Sequence, residues 1–578
     1  MANDYSNFSH EELIKYIEEL QAQLKSEKYG LYWDKNIEQE NCVNQCKNNI
    51  PLFKRDYVRE INIDSNNNLL IEGDNFHSLI ALNYILEESI DLIYIDPPYN
   101  TGHQDFIYND KFVDENDGFR HSKWLSWMEK RLELSRMLLK NEGIIFVSID
   151  DNEQSNLKLL MDKIFGELNY IGMIIIQATP KNDPLCIATS HEYCLVYMKN
   201  KLIAKNYEWG ESNEFAKILP NIIKKENNYR KAEELLKEYY KKEGLTKDNI
   251  SNYKYVDEWG IFRTGPLDDP QSKGPKDERI NPKTGRPCKI PTRGWGCSKE
   301  TWNKWVDNHE ILFPNDDEHL PSRKVYLIEG KRMPMNSVFK IQTRKSTNLL
   351  KNIFGCKVFN HPKPLELMKK IISLTDNKDC VVLDFFAGSG TTGQAVLELN
   401  KEDGGNRRFI LCTNNENNIC TDVTYPRLKT VITGIRPDGT KYSDGIPANL
   451  IYYKTDFIKD SNNTDQAKYC LVEKVDELLC ISEDIFIQLE RNDYSSHYVS
   501  NDETRHMFIY SDYYNETKFK EFKQRVLSNS GTKVVYIFSS DNNVDETLFE
   551  GIKDVEVKPI PSKIYEIYKE IVEDIKRG

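Results

Sequence analysis

Two short stretches of this sequence carry residue types that could do chemistry. The first is Asp96-Pro97-Pro98-Tyr99, directly after the apolar run Leu92-Ile93-Tyr94-Ile95. An ionised carboxylate only accepts hydrogen bonds. Consecutive prolines fix the backbone and remove its N–H donors, leaving carbonyl acceptors. Asp96 and the Pro97 carbonyl therefore offer a pair of acceptors at a set spacing, which suits a planar –NH₂ group, and Tyr99 adds a flat face on which a base can stack. The exocyclic amine of a nucleobase is a poor nucleophile because its lone pair is delocalised into the ring. Paired acceptors would hold its N–H bonds and favour a pyramidal nitrogen, and the Asp96 carboxylate would stabilise the positive charge that develops there. No metal is required. Residue types alone also allow a plain strand end followed by a Pro-Pro turn closed by a buried tyrosine.

The second stretch is Val381-Val382-Leu383-Asp384-Phe385-Phe386-Ala387-Gly388-Ser389-Gly390-Thr391-Thr392-Gly393, a strand pattern running into a glycine-rich turn and a helix start. Glycines let backbone approach a ligand, and a helix N-terminus favours negative charge. A phosphate-binding P-loop would need a lysine that is missing here. Gly388, Gly390 and Gly393 do match a dinucleotide fingerprint, with Glu416 roughly 20 residues further on. Asp384 before the turn and the Ser389, Thr391 and Thr392 hydroxyls fit better with S-adenosylmethionine held by its amino and carboxylate ends.

Both stretches need strands to carry them. Leu69–Ile71, Leu92–Ile95 and Ile144–Ile149 read as strands, with helices over Phe76–Leu86 and Trp124–Leu139 between them. After an interruption the rhythm returns as a helix over Leu365–Ile372, a strand at Cys380–Leu383, a helix over Thr391–Leu399 and a strand at Phe409–Thr413. Strands alternating with helices predict βαβ units and a mostly parallel sheet. In such sheets ligands sit beyond the carboxyl ends of strands, where Asp96 and Asp384 fall. Ser9 and Glu12 form a capping box before Leu13, Ile14, Ile17, Leu20 and Leu24, predicting an amphipathic N-terminal helix for the chain's own core or a second subunit.

The 578 residues carry a formal charge of −13, which excludes a purely electrostatic nucleic-acid binder but not a local basic groove. Residues 201–247 read as polar and helical. The stretch 261–346 holds 17 Lys and Arg against 11 Asp and Glu, with Trp295, Trp302 and Trp305 interleaved. That composition suits a nucleic-acid-facing module, and equally a loop-rich insertion with its own small core. From residue 451 onward 17 Lys and Arg face 25 Asp and Glu, so this segment is expected to contact protein rather than DNA. The 12 cysteines are sparse, lack C-x-x-C spacing and read as free thiols. A polar start and the absence of long apolar runs lead us to expect a cytoplasmic protein without membrane contact.

Asp-Pro-Pro-Tyr together with Phe386-x-Gly388-x-Gly390-Thr391-Thr392, in that order, resembles the amino-methyltransferases of DNA. The tetrapeptide precedes the glycine loop with a basic insertion between, the circularly permuted order of the β group. Tyr29-Gly30-Leu31-Tyr32-Trp33, Glu72-Gly73-Asp74-Asn75, the run Asp96 to Gly102, Ser148-Ile149-Asp150-Asp151-Asn152-Glu153 and Tyr452-Tyr453-Lys454-Thr455-Asp456-Phe457 resemble the modification subunits of type III restriction–modification systems. The resemblance covers most of the chain and is weakest over 200–255 and 460–550.

The resemblance implies an α/β fold: a Rossmann-like, circularly permuted S-adenosylmethionine-dependent methyltransferase sheet with an inserted target-recognition domain and a C-terminal α/β domain. The expected division is an N-terminal helical region (1–50), the catalytic half of the core (51–200), the insertion (201–345), the cofactor half (346–450) and an acidic C-terminal domain (451–578). Asp96, Pro97, Pro98 and Tyr99 would hold a flipped base. Asp74, His361, Lys363, Asp384, Phe386, Ala387, Gly388, Ser389, Gly390, Thr391 and Thr392 would hold S-adenosylmethionine, with no metal. Phe385 stands where the family has proline, and Glu416 is the acidic residue nearest the position expected to meet the ribose. Asp150, Asp151 and Glu153 read as a strand end and helix cap or as catalytic groups.

The reaction expected is methylation of adenine N6 in double-stranded DNA. Cytosine N4 is the alternative base, although aspartate rather than serine at position 96 favours adenine. A homodimer and a helicase–nuclease restriction subunit are the expected protein partners, and a role mainly as a specificity subunit for that partner is a second reading. A nicotinamide-dependent oxidoreductase would leave Asp-Pro-Pro-Tyr without a purpose. Methylation of RNA or protein amines uses similar tetrapeptides, but the large basic insertion favours duplex DNA.

Overall fold

The computed structural model describes Trp33, residues 40–560 and Tyr568, except 63–66, 104, 110, 178–188, 204–209, 213–214, 225, 247–248, 317, 329–331, 334, 342, 376, 460–469, 472–473, 513–514, 539–545, 551 and 553. The expected N-terminal helix and Tyr29 to Tyr32 lie outside the described residues. The chain divides into two compact units, Glu208–Met335 and the remainder.

The larger unit is built on a ten-stranded sheet. Its strands are β1 (Ile50–Arg55), β2 (Asn67–Glu72), β3 (Ile90–Ile95), β4 (Leu139–Ile149), β5 (Tyr170–Gln177), β6 (His191–Met198), β7 (Val338–Lys340), β8 (Val381–Asp384), β9 (Arg408–Thr413) and β10 (Asn449–Ile458). They lie in the order β1-β10-β2-β9-β8-β3-β4-β6-β5-β7. The run from β10 through β4 is parallel, and antiparallel neighbours follow at β6 and β5. Central parallel strands are covered on both faces, which accounts for their nearly unbroken apolar sequences. In β8 and β3, Leu383 pairs with Ile93, so Asp384 and Asp96 emerge at the same end of adjacent strands.

Helices α1 (Asn75–Asn83), α2 (Arg120–Leu138), α3 (Gln154–Phe165), α4 (Leu365–Ile372), α5 (Thr391–Asp403) and α6 (Tyr425–Thr433) belong to this unit. Asp74 caps α1, its carboxylate accepting the Phe76 N–H at 2.8 Å. Gly390 caps α5 with φ of 74°, a left-handed conformation that glycine adopts without strain. Gly73 meets a neighbouring strand: a Cβ there would lie 2.2 Å from Thr455 Oγ1.

Two expected boundaries move. Val338–Lys340, assigned from sequence to the insertion, pairs in parallel with β5 and closes the main sheet. Strand β10, straddling the expected start of the C-terminal domain, lies between β1 and β2 inside the sheet. In both cases backbone pairing overrides local composition.

The C-terminal residues follow helix α7 (Asp476–Glu483) with β11 (Ile487–Arg491), β12 (Ser495–Val499), β13 (Arg505–Tyr510), α8 (Glu516–Ser528), β14 (Thr532–Phe538) and β15 (Val555–Ile560), a second sheet in that strand order. Asp484 bonds Asn67 at 3.1 Å and Arg408 at 2.6 Å. Those residues begin β2 and β9, so this acidic region attaches at the amino ends of the core strands, opposite Asp96 and Asp384.

Unit Glu208–Met335 has a four-stranded antiparallel sheet and two small cores. Helices Phe215–Ile223 and Tyr229–Lys242 supply much of the first. In the second, Trp295 and Trp302 are buried with the Arg279 guanidinium 4.8 and 5.0 Å from their rings. Arg279 also donates to the Cys297 carbonyl at 2.8 Å. The expected interleaving of basic and aromatic side chains is therefore partly internal, because stacking on two indoles and a carbonyl acceptor bury this cation. Trp259 remains half-exposed and stacks on His309 at 4.2 Å.

Candidate active site

The loop after β3 is held rigidly before any ligand arrives. Trp124 of α2 donates its Nε1–H to the Pro98 carbonyl at 2.8 Å. Asn100 is buried with φ of 58°, a left-handed conformation that asparagine tolerates. Its amide donates to Glu153 at 2.5 Å, and the same fully buried carboxylate pairs with His121 at 2.6 Å and Asn156 at 2.7 Å. Glu153 thus supports the loop after Tyr99 rather than capping α3 with its side chain. Asp150 takes the Asn152 N–H, and Asp151 takes the Tyr193 hydroxyl.

Three polar side chains cluster around Asp96. Tyr99 donates its hydroxyl to Asp96 Oδ1 at 2.8 Å and lies 3.2 Å from Glu192 Oε2. Lys363 Nζ reaches the Tyr99 hydroxyl and Glu192 Oε2 at 2.5 Å each and Asp96 Oδ1 at 3.1 Å. Burial raises the Asp96 pKa against the opposing pull of Lys363, while Glu192 adds to the rise. Burial would raise Glu192 too, but Lys363 outweighs it and holds that carboxyl below its usual range. The two carboxylates in turn hold Lys363 firmly protonated against the effect of burial. Among the described residues Asp96 Oδ2 receives no hydrogen bond. It is left, with the Pro97 carbonyl, as an acceptor for something else.

Lys363, expected at the cofactor, therefore faces the Asp96 carboxylate in this structure. His361 is exposed with φ of 52°. Glu192 escaped the sequence reading. Its one signal was an acidic residue opening the apolar strand run Cys194–Met198.

The glycine loop is built differently. Asp384 is buried, accepting the Thr392 hydroxyl at 2.5 Å and the Phe386 N–H at 3.0 Å. Among the described residues no cation offsets its burial, which pushes its pKa up to about 7. Arg427 of α6, also missed from sequence, is buried and donates to the Ser389 carbonyl (3.0 Å), Ser389 Oγ (3.0 Å), Thr391 Oγ1 (2.8 Å) and Gln394 Oε1 (2.8 Å). These acceptors are neutral, and burial lowers the guanidinium pKa to about 10.

A buried cation whose hydrogen-bond acceptors are all neutral, beneath a glycine loop and helix N-terminus, fits a ligand carrying a carboxylate there. Asn75 ties this loop to the capping turn of α1, donating to the Phe385 carbonyl at 3.2 Å while accepting from Arg131 at 2.7 Å. Arg131 also pairs with Glu40 at 3.0 Å and approaches Asp74 at 3.8 Å. The Phe386 ring packs 5.4 Å from Trp127. Asp74 and the loop thus edge one region at the carboxyl ends of β2 and β8, compatible with S-adenosylmethionine. Glu416 is exposed in the turn Glu416–Asn418 and makes no bond to that loop among the described residues.

Comparison with known proteins agrees with this chemistry. The model of a family described as DNA methylase matches residues 90–425. The EcoP15I Mod subunit, a type III restriction–modification enzyme of Escherichia coli, is 32% identical over 70% of this chain and 67% of its own length. The StyLTI Mod subunit of Salmonella typhimurium is 35% identical over 60% of this chain and 52% of its own. The type II methyltransferase M.KpnI of Klebsiella pneumoniae is 32% identical over 70% of this chain and 95% of its own. This chain spans about half to two thirds of the type III relatives. Among solved structures, PvuII DNA methyltransferase (cytosine-N4-specific) aligns at 12% identity and TM-score 0.32 over 64% of this chain and 91% of its own. The M1.HpyAVI–SAM complex aligns at 14% and 0.27 over 63% and 97%. This chain belongs to the DNA methylase family and is a DNA methyltransferase related to the modification subunits of type III restriction–modification enzymes.

Proposed function

We propose that this chain methylates adenine N6 within a short duplex DNA sequence, as the modification and recognition subunit of a type III-like system. The observation that carries this reading is Asp96: one oxygen is fixed by Tyr99 and Lys363, and the other receives no hydrogen bond among the described residues. Bound S-adenosylmethionine would supply an electrophilic methyl group. The loop Phe386 to Thr392, with Asp74, would hold it. Asp384 would keep the loop in shape, and Arg427 beneath would favour its carboxylate.

The chain's residues act on the base. Asp96 Oδ2 and the Pro97 carbonyl accept the two N–H bonds of the amine, and Tyr99 stacks on the ring. Asp96 stabilises the charge that develops on nitrogen and takes its proton. The base must first leave the helix, at a cost of a few kcal/mol that stacking on Tyr99 partly returns. Basic side chains of unit Glu208–Met335 read the major groove and neutralise phosphates, so binding weakens as salt rises. The acidic region beyond β10 serves a restriction subunit or a second copy of the chain.

Sequencing that detects modified bases, applied to DNA of a methylation-free host expressing this chain, tests the reading. N6-methyladenine on one strand of an asymmetric motif is expected. N4-methylcytosine would change the base, and unmodified DNA would count against the reading.

A further inference from the structure

Lys363 poses a problem for the reaction. A cation 3.1 Å from Asp96 Oδ1 opposes the positive charge that must build on the target nitrogen at the other oxygen. The structure also holds the remedy. Glu192, at the start of β6, accepts from the same ammonium at 2.5 Å, the shorter of its two carboxylate contacts. The three N–H bonds of Lys363 match three acceptors: Glu192, the Tyr99 oxygen and Asp96 Oδ1. Two carboxylates and one ammonium leave the cluster with one net negative charge.

We propose that Glu192 is a positioning residue that neutralises Lys363, so that Asp96 keeps its charge, and its outward oxygen, for the target amine. The proposal rests on the methyl-transfer reading above. With Glu192 in place, Lys363 orients the Asp96 carboxylate without cancelling it. Remove Glu192, and Lys363 pairs with Asp96 alone, turning an anionic acceptor into half of a neutral ion pair. The amine still finds an acceptor, but the charge that forms on nitrogen during methyl transfer loses its stabilisation. Glu192 therefore bears on kcat far more than on cofactor binding.

The test compares the full-length wild type with Glu192→Gln, Lys363→Met and the double variant. Methyl transfer to DNA from a methylation-free host is measured at saturating S-adenosylmethionine, and cofactor Kd by calorimetry. Glu192→Gln is expected to lower kcat about 100-fold, the scale of losing one electrostatic group at a developing charge, with Kd changed less than about threefold. Adding Lys363→Met should recover at least about tenfold over Glu192→Gln, since the uncompensated cation has gone. A structural role alone would weaken cofactor binding along with kcat, rather than lower kcat at nearly unchanged Kd. Wild-type kcat in Glu192→Gln, or a double variant no faster than Glu192→Gln, overturns the proposal. If the wild type transfers no methyl group, the functional reading fails instead, and the pairing is judged from melting of the free chain. There Glu192→Gln should lower Tm and added Lys363→Met restore it, whereas additive losses overturn the pairing.

Discussion

Asp96 and Asp384 end adjacent parallel strands and look alike in sequence, each an aspartate closing an apolar run. Their surroundings differ. Asp96 is partly exposed, has a cation on one oxygen, and among the described residues has no hydrogen bond on the other. Asp384 is 2% exposed, satisfied by Thr392 and Phe386, and has no counter-ion among the described residues. On the proposed function, one carboxylate acts on the substrate and the other holds a loop. Desolvation without a partner raises a carboxyl pKa, and a neighbouring ammonium opposes that rise. Which aspartate does chemistry therefore depends on the company it keeps, not on its place at a strand end.

The division can be broken most sharply at Asp96. Asp96→Ala should reduce methyl transfer by about 10³-fold or more, while calorimetric affinity for S-adenosylmethionine stays within about twofold. Loss of both together would mean that the two aspartates share one role.

Asp384 should reveal itself through pH. Its raised pKa means the folded chain keeps a proton that the unfolded chain releases near the ordinary carboxylate range. This group therefore favours the folded state at low pH, and that contribution fades as pH rises through about 7. Between about pH 5 and 7 it lowers stability by about 1.4 kcal/mol per unit. Asp384→Asn should remove that slope in denaturant melts compared across this range; an unchanged slope would assign it to other groups.

Arg427→Met leaves four neutral acceptors of the loop without their donor, at a cost of about 2 kcal/mol. Cofactor affinity should fall about tenfold, and thermal melting with and without S-adenosylmethionine reads both effects. Tyr99→Phe makes the smallest change, removing one hydroxyl bonded to Asp96 while keeping the stacking face. We expect kcat about tenfold lower with cofactor Kd unchanged, measured by the same transfer assay.

Much of this arrangement was legible in the chain. The runs before Asp96 and Asp384 are long enough in branched apolar residues to read as buried strands. Prolines and glycines mark the turns that follow, and these are local properties. Less legible were residues whose roles depend on distant partners. Glu192 sits 171 positions from Lys363, and Arg427 lies 38 from the serine it holds. Asn100 and Glu153 are 53 apart and meet only because α2 and the start of α3 fold against the catalytic loop. Trp295 and Trp302 read either as part of a nucleic-acid-facing surface or as a small core of the insertion; they pack on each other at 4.9 Å in such a core, with Arg279 against both rings.

The sequence by itself determined the strand–turn–helix units, the two reactive loops at strand ends, their order along the chain and the chemistry their side chains can perform. These follow from short-range backbone preference, apolar patterning and functional-group type. Only the tertiary structure decided that β7 and β10 join the main sheet, that Lys363 rests on Asp96 and Glu192, and that Arg427 lies buried beneath the glycine loop. Electrostatics acts through space. The charge beside a carboxylate is set by which remote strands and helices pack there, and no local pattern in the chain encodes that.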